Sequence, residues 1–232
     1  MDSFGNLNKK NMTKKIMFSD KYGLTQAVIE GRKTQTRRVV SQSLIDKYDE
    51  WYDDVCTIAM PPGSTIETLR DWLLRKHTRY RAGEVVAVAQ SYCSIAEELE
   101  NCNNATCAAH YEKNVQKSSE YIWWMEHPGF YNKMFVAADM MIHQIRITDV
   151  RVERLQDISD EDCLKEGVRK VVNENGIYVQ YYVGKGDNAC SFENPREAFA
   201  HLINKVSRKD VWAENPYVFV YDFELVNSHS LR

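Results

Sequence analysis

The residues best equipped for chemistry stand together at Gly31-Arg32-Lys33-Thr34-Gln35-Thr36-Arg37-Arg38, where four of the seven positions after the glycine are cationic and two are threonines. Two kinds of chemistry suit that set. Lysine and arginine side chains grip phosphate oxygens, and a threonine hydroxyl becomes a nucleophile once a base takes its proton. Lys33 could be that base only as the neutral amine, a form that an ordinary lysine populates at below about one part in a thousand at pH 7. Burial and the neighbouring Arg32, Arg37 and Arg38 would lower its pKa, whereas an adjacent carboxylate would raise it. An acid serving such a site is therefore expected to be a protonated carboxyl facing a leaving group, not a salt-bridge partner of Lys33.

The surrounding pattern predicts how the cluster is held. Lys15 to Ser19 reads as a short strand, and Leu24, Ala27 and Val28 recur at helical spacing with Ser19 or Asp20 available as N-cap. Gly31 suits the end of that helix because it tolerates the left-handed backbone that terminates helices. Residues 32–38 then form a basic loop, and Val39-Val40 opens the next strand. Lys33 and Thr36 are three residues apart, so a regular strand would send them to opposite faces, and they meet only if the chain turns after Gly31. Further along, 41–80 reads as helical and mixed, Val85 to Ala89 as a buried strand, and 93–132 as a mainly helical insertion. In Met141 to Arg154 the apolar parity switches between Ile147 and Val150, which predicts a bulge near Thr148-Asp149. Ser159 to Gly167 reads as a short capped helix, Asn173 to Gly176 as a hairpin turn, and Pro195 to Val206 as a helix. Tyr217 to Leu225 alternates as a strand with Tyr217, Phe219, Tyr221, Phe223 and Leu225 on one face. Separated strands around a few helices predict an α+β fold: residues 1–13 a disordered lead-in, and 14–232 a single domain with the insertion.

Composition leaves room for this and excludes other classes. The chain has 232 residues, 44% hydrophobic, 27% charged, with only 10 Gly and 5 Pro, so it can bury a core without metal or disulfide support. The net charge of −3 is unevenly spread: residues 1–40 carry nine Lys/Arg against three acidic residues, and the other 192 carry 21 against 30. A basic end on an acidic body can face phosphate. No stretch approaches the ~18 apolar residues of a membrane span, and the polar stretch Met1 to Lys15 lacks the apolar centre of a signal peptide. The six cysteines are then expected to be free thiols in the cytoplasm.

Secondary candidates are sparse. Gln90 and Tyr92 follow the apolar strand and could read a base edge, or sit satisfied at its rim; Trp212 and Asn215 could line a pocket, or brace the last strand. Cys93, Cys102, Cys107 and His110 could close a tetrahedral zinc site, but helix and polar turn between them favour ordinary cysteines, so no metal is expected. No glycine-rich phosphate loop appears, and no cofactor is expected.

The pattern Gly31-x-Lys33-x-x-Thr36-x-Arg38 resembles the signature of the ASCH superfamily, a PUA-like β-barrel group. Ser159 to Gly167 resembles its second block, a short helix with an acidic residue at its end, and Tyr80 to Tyr92 its central strand. Arg151 to Leu155 and Trp212 to Val226 resemble longer members encoded in phages and prophages; together these blocks cover about half the chain. The resemblance implies a PUA-like β-barrel with flanking helices. Through small bacterial relatives that deacetylate N4-acetylcytidine, it also implies Lys33 as base, Thr36 as nucleophile and Glu166 as acid of an amidohydrolase. The alternative it implies is non-catalytic: Arg32, Arg37 and Arg38 grip the backbone of RNA or single-stranded DNA while aromatic rings stack its bases. The expected partner is accordingly RNA, single-stranded DNA or a modified nucleoside, with no membrane involved.

Overall fold

The helix before the basic cluster ends where its glycine demands. In the computed structural model, which describes residues 14–57, 65–100, 128–176 and 178–226, α1 spans Leu24–Ile29 and Gly31 follows at φ 72°. Its N-cap is not Ser19 or Asp20 but Gly23, at φ 68°. A turn that bonds the Gly23 N–H to the Asp20 carbonyl, 2.9 Å, carries the chain past both expected caps, and Asp20 instead accepts from the Thr25 hydroxyl, 2.5 Å. The remaining elements are β1 Lys15–Ile16, β2 Gln35–Val39, α2 Gln42–Thr57, α3 Leu69–Lys76, β3 Val85–Val88, α4 Tyr92–Glu100, β4 Gln144–Arg154, α5 Asp160–Lys165, β5 Arg169–Val172, β6 Val179–Val183, β7 Cys190–Phe192, α6 Pro195–Ser207, α7 Val211–Glu214 and β8 Tyr217–Val226, with short 3₁₀ turns between some of them. The fold is mixed α+β. No helix among the described residues is long and apolar enough to cross a membrane.

These elements fall into two compact units, the first drawn from the chain up to Phe18 and from Val85–Ile145, the second from Ser19–Glu84 and Arg146–Leu225. In the first unit β1 pairs parallel with β3, Lys15 opposite Ala87 and Ile16 opposite Val88. The Lys15 amine donates to the carbonyls of Lys133, Met134 and Val136 at 3.0, 2.7 and 2.6 Å, and the Lys133 amine donates to the Phe18 carbonyl at 2.5 Å. Two lysines thus tie the segment 133–136 to the chain around β1 through backbone carbonyls. Ala87, Ala89, Tyr92, Ile95, Val136 and Met141 form this unit's core. The expected insertion begins here with α4; its continuation through Cys102, Cys107 and His110 lies outside the described residues.

In the second unit β8 lies between β4 and β2, antiparallel to β2 with Gln35 opposite Asp222 and Val39 opposite Val218. A separate antiparallel sheet runs β5-β6-β7, and α6 packs against β6, β7, α5 and α7. Neither sheet closes on itself among the described residues, so the expected closed barrel is not formed by these ladders. β5 carries the exposed cations Arg169 and Lys170 on a free sheet edge, a placement that discourages further strand pairing. The parity switch in β4 is present: Ile145 and Ile147 are buried, Thr148 and Asp149 are both exposed, and Val152 is buried on the other parity. β8 corrects the reading of one apolar face, because Val218, Phe219, Val220 and Tyr221 are all buried and both faces are covered.

Candidate functional site

The basic segment is a strand from Gln35 onward and not a loop throughout, and that decides where its side chains go. Residues 33 and 34 are pinned on three sides: the Lys33 N–H donates to the Ala27 carbonyl, the Thr34 N–H to the Lys165 carbonyl, and the Thr34 carbonyl accepts from the Phe223 N–H, at 2.8–2.9 Å. β2 starts at Gln35, so strand alternation puts Gln35 and Arg37 on one face and Thr36 and Arg38 on the other. The second block arrives through α5, which the Ser159 hydroxyl caps by accepting from the Asp162 N–H at 3.1 Å. It ends at Glu166, and Gly167 follows at φ 105°. A Cβ on Gly167 would stand 3.2 Å from Leu24 Cδ2 and 3.6 Å from Lys33 Cδ, so the glycine leaves room for the lysine stem to pass.

Lys33 and Glu166 meet. The Lys33 amine, 2% exposed, donates to Glu166 Oε2 at 2.6 Å, to the Glu166 carbonyl at 2.7 Å and to the Gln35 carbonyl at 2.7 Å. Three acceptors match the three N–H bonds of an ammonium, and one is a carbonyl at the C-terminal end of α5, where a cation is favoured. Burial pulls the amine below the ordinary lysine value while the Glu166 carboxylate opposes that shift. The expectation that Glu166 is not a salt-bridge partner of Lys33 is therefore corrected, because the two side chains lie within ion-pairing distance at 2.6 Å. The physical reason is that a buried amine and a buried carboxyl offset part of their desolvation only in contact with one another. The Thr36 hydroxyl is not among the three acceptors, although Thr36 is itself buried.

Around this pair the acidic and basic side chains interlock. Arg37 donates to Glu166 Oε1 at 3.2 Å, to Glu153 Oε1 at 2.6 Å, to Asp162 Oδ2 at 3.3 Å and to Gln35 Oε1. Arg151 donates to Asp162 Oδ2 at 3.0 Å, to Glu153 Oε2 at 3.2 Å and to Asp222. Gln35 closes the circuit through Asp222 Oδ1 at 2.6 Å. Burial works against the Asp162 carboxylate, but Lys165 and Arg37 hold it below its ordinary value. Burial pushes the adjacent Cys163 thiol up to about 12. Across β2, Arg38 is near Tyr80 and Tyr221, whose rings meet edge-on at 5.3 Å, and burial lowers even this guanidinium.

The other expected contacts are mostly spent inside the protein. Arg37, expected to grip phosphate, is buried and ion-paired with Glu153, Asp162 and Glu166. Arg32 is exposed and pairs with Glu30 at 2.5 Å. Gln90 and Tyr92 belong to the first unit, where both are buried; Gln90 donates to Glu98 Oε2 at 2.9 Å and accepts from the Ile142 N–H at 3.3 Å. Asn215 accepts from the Gln156 N–H at 2.8 Å, and the Trp212 carbonyl accepts from Gln156 Nε2 at 2.7 Å, so this pair braces the approach to β8.

Sequence reasoning missed Glu153, Asp162, Arg151, Asp222 and Gln35. One signal was legible: Asp222 interrupts the apolar run Tyr217 to Phe223, and a carboxylate there implies a cationic or amide partner. No protein-family model, no curated protein and no solved structure matches this chain.

Proposed function

We propose that the chain is an ASCH-type module, PUA-like in fold, that binds single-stranded nucleic acid, and that Lys33, Glu166 and Arg37 organise the module instead of cleaving an acyl group. The observation that carries this reading is the Lys33 amine. It lies 2.6–2.7 Å from three oxygen acceptors, one of them a carboxylate, a setting that suits a bound ammonium better than a base awaiting a proton. The meeting of Lys33 with Glu166, 133 positions apart, supports the resemblance from which both residues were singled out. The surplus of cations in residues 1–40 supports an anionic partner.

A hydrolytic reading has one observation of its own, the lowering of the Lys33 pKa by burial. It requires Glu166 to release the amine, Lys33 to become neutral, and the amine to take the Thr36 hydroxyl proton. The two readings separate in one experiment. Purified protein incubated with N4-acetylcytidine and followed by mass spectrometry is expected to leave the acetyl group in place, while a labelled single-stranded oligonucleotide binds with an affinity that falls steeply with salt. Deacetylation abolished by both Lys33→Ala and Thr36→Ala would replace the binding reading with the amidohydrolase.

A further inference from the structure

The second unit holds a cavity of about 790 Å³ that none of the motif residues touches. Its walls come from two segments far apart in sequence: Ser19, Lys21 and Tyr22 before α1, and His201, Asn204, Lys205, Val206 and Arg208 to Asp210 at the end of α6. Four cations line it, Lys21, Lys205, Arg208 and Lys209, against the single carboxylate of Asp210. Among the described residues no carboxylate lies within ion-pairing distance of any of the four, in contrast to the interlocked charges around Lys33. Asp210 is engaged by Asn204 Nδ2 at 2.7 Å, and Asn204 Oδ1 by the Trp212 N–H at 2.9 Å, so those polar groups brace the wall.

Cations near a helix C-terminus can simply complement its dipole. That accounts for Lys205 in the last turn of α6 but not for Lys21, which comes from another segment. Nor does it account for the backbone of Arg208, which is left-handed at φ 57° where glycine or asparagine is the usual choice. The lining also includes two rings. Tyr22 is half-buried with the Lys21 amine 5.7 Å from its centroid. The His201 pKa is lowered by burial and by Lys205, which favours a neutral imidazole at pH 7.

We infer that this cavity is the seat of the nucleic acid: Lys21, Lys205, Arg208 and Lys209 take backbone phosphates and Tyr22 stacks on a base. The volume falls within the ~300–1,000 Å³ of small-ligand sites and suits one or two nucleotides. Unpaired cations beside an aromatic face are the recurring means of holding a single strand without reading its sequence. The inference rests on the nucleic-acid reading above and gives it a location.

The test uses the full chain and fluorescein-labelled 12-nucleotide oligo(U) and oligo(dT), by anisotropy at 50–200 mM KCl. About three phosphate contacts predict a slope of log affinity against log salt near −2, hence a loss of roughly 20-fold over that range. Arg208→Gly should flatten the slope by about 0.7, reducing the loss to roughly sevenfold. Its melting temperature should not fall, because glycine relieves the left-handed backbone. Tyr22→Leu should weaken binding about tenfold at unchanged slope, and Tyr22→Phe should restore it. Tight binding by the parent that ignores Arg208→Gly and a Lys205→Ala/Lys209→Ala double variant overturns this location and leaves the nucleic-acid reading standing. Absence of binding by the parent overturns both. Competition by inorganic tripolyphosphate as strong, per phosphate, as by the oligonucleotide, with Tyr22→Leu silent, makes the cavity a bare polyanion site and overturns the nucleotide assignment.

Discussion

Removing both members of the Lys33–Glu166 pair should cost less than the two single removals added together. In Glu166→Leu the amine keeps the carbonyls of Gln35 and of residue 166, and a buried cation loses its nearest countercharge. In Lys33→Met the carboxylate keeps Arg37 at 3.2 Å, so the loss should be smaller. Breaking a buried pair from one side costs about 3–5 kcal/mol, which places Lys33→Met near the lower figure and Glu166→Leu near the upper. In a domain of this size that corresponds to a fall in melting temperature of roughly 6–20 °C. The double variant Lys33→Met/Glu166→Leu replaces two charges with apolar side chains of similar length. It should be more stable than the sum of the single losses implies, by about 2–3 kcal/mol of coupling. Urea unfolding at pH 7 followed by circular dichroism measures all four corners of the cycle. Single losses below about 1 kcal/mol with no coupling are what an exposed, solvated pair would give, and that result would refute the buried-pair argument and the proposed function with it.

Three further outcomes follow from particular sites. Cys163, with its thiol pushed up to about 12, should resist iodoacetamide at pH 8 in the folded protein and label on unfolding, whereas exposed Cys56 labels at once; peptide mapping distinguishes them. Gly31→Ala meets open space and should cost only the left-handed backbone, about 1 kcal/mol, whereas Gly167→Ala also presses on Leu24 and Lys33 and should cost at least about 2 kcal/mol by chemical denaturation. The His77 pKa is lowered by burial and by Lys47 and Lys76, and its Nε2 is buried without a partner among the described residues. The unfolded chain therefore binds the proton first, so His77 should withdraw stability as pH falls through about 6.5. A urea midpoint that drops between pH 7 and pH 5 by less in His77→Gln than in the parent would bear this out, and identical drops would not.

Local chemistry was legible wherever one short stretch decides its own conformation. Gly31 marks the end of α1, Ser159 caps α5, and Pro195 opens α6, because caps, helix-starting prolines and left-handed glycines act within a turn of their own position. The parity switch in β4 could likewise be read from the apolar spacing alone. Pairing across the chain could not. That Gln35 opens a strand depends on Asp222 standing opposite it, 187 positions away, and that Arg37 is sealed depends on Glu153 and Asp162 closing over it. A cationic segment reads the same in sequence whether its charges meet solvent, phosphate or carboxylate. Only the tertiary structure decides which, because desolvation makes a buried guanidinium costly until particular carboxylates reach it. The cavity beside Arg208 is the converse case: ordinary-looking lysines and an arginine become a site because the fold gathers Lys21 to them and brings no carboxylate within ion-pairing distance among the described residues.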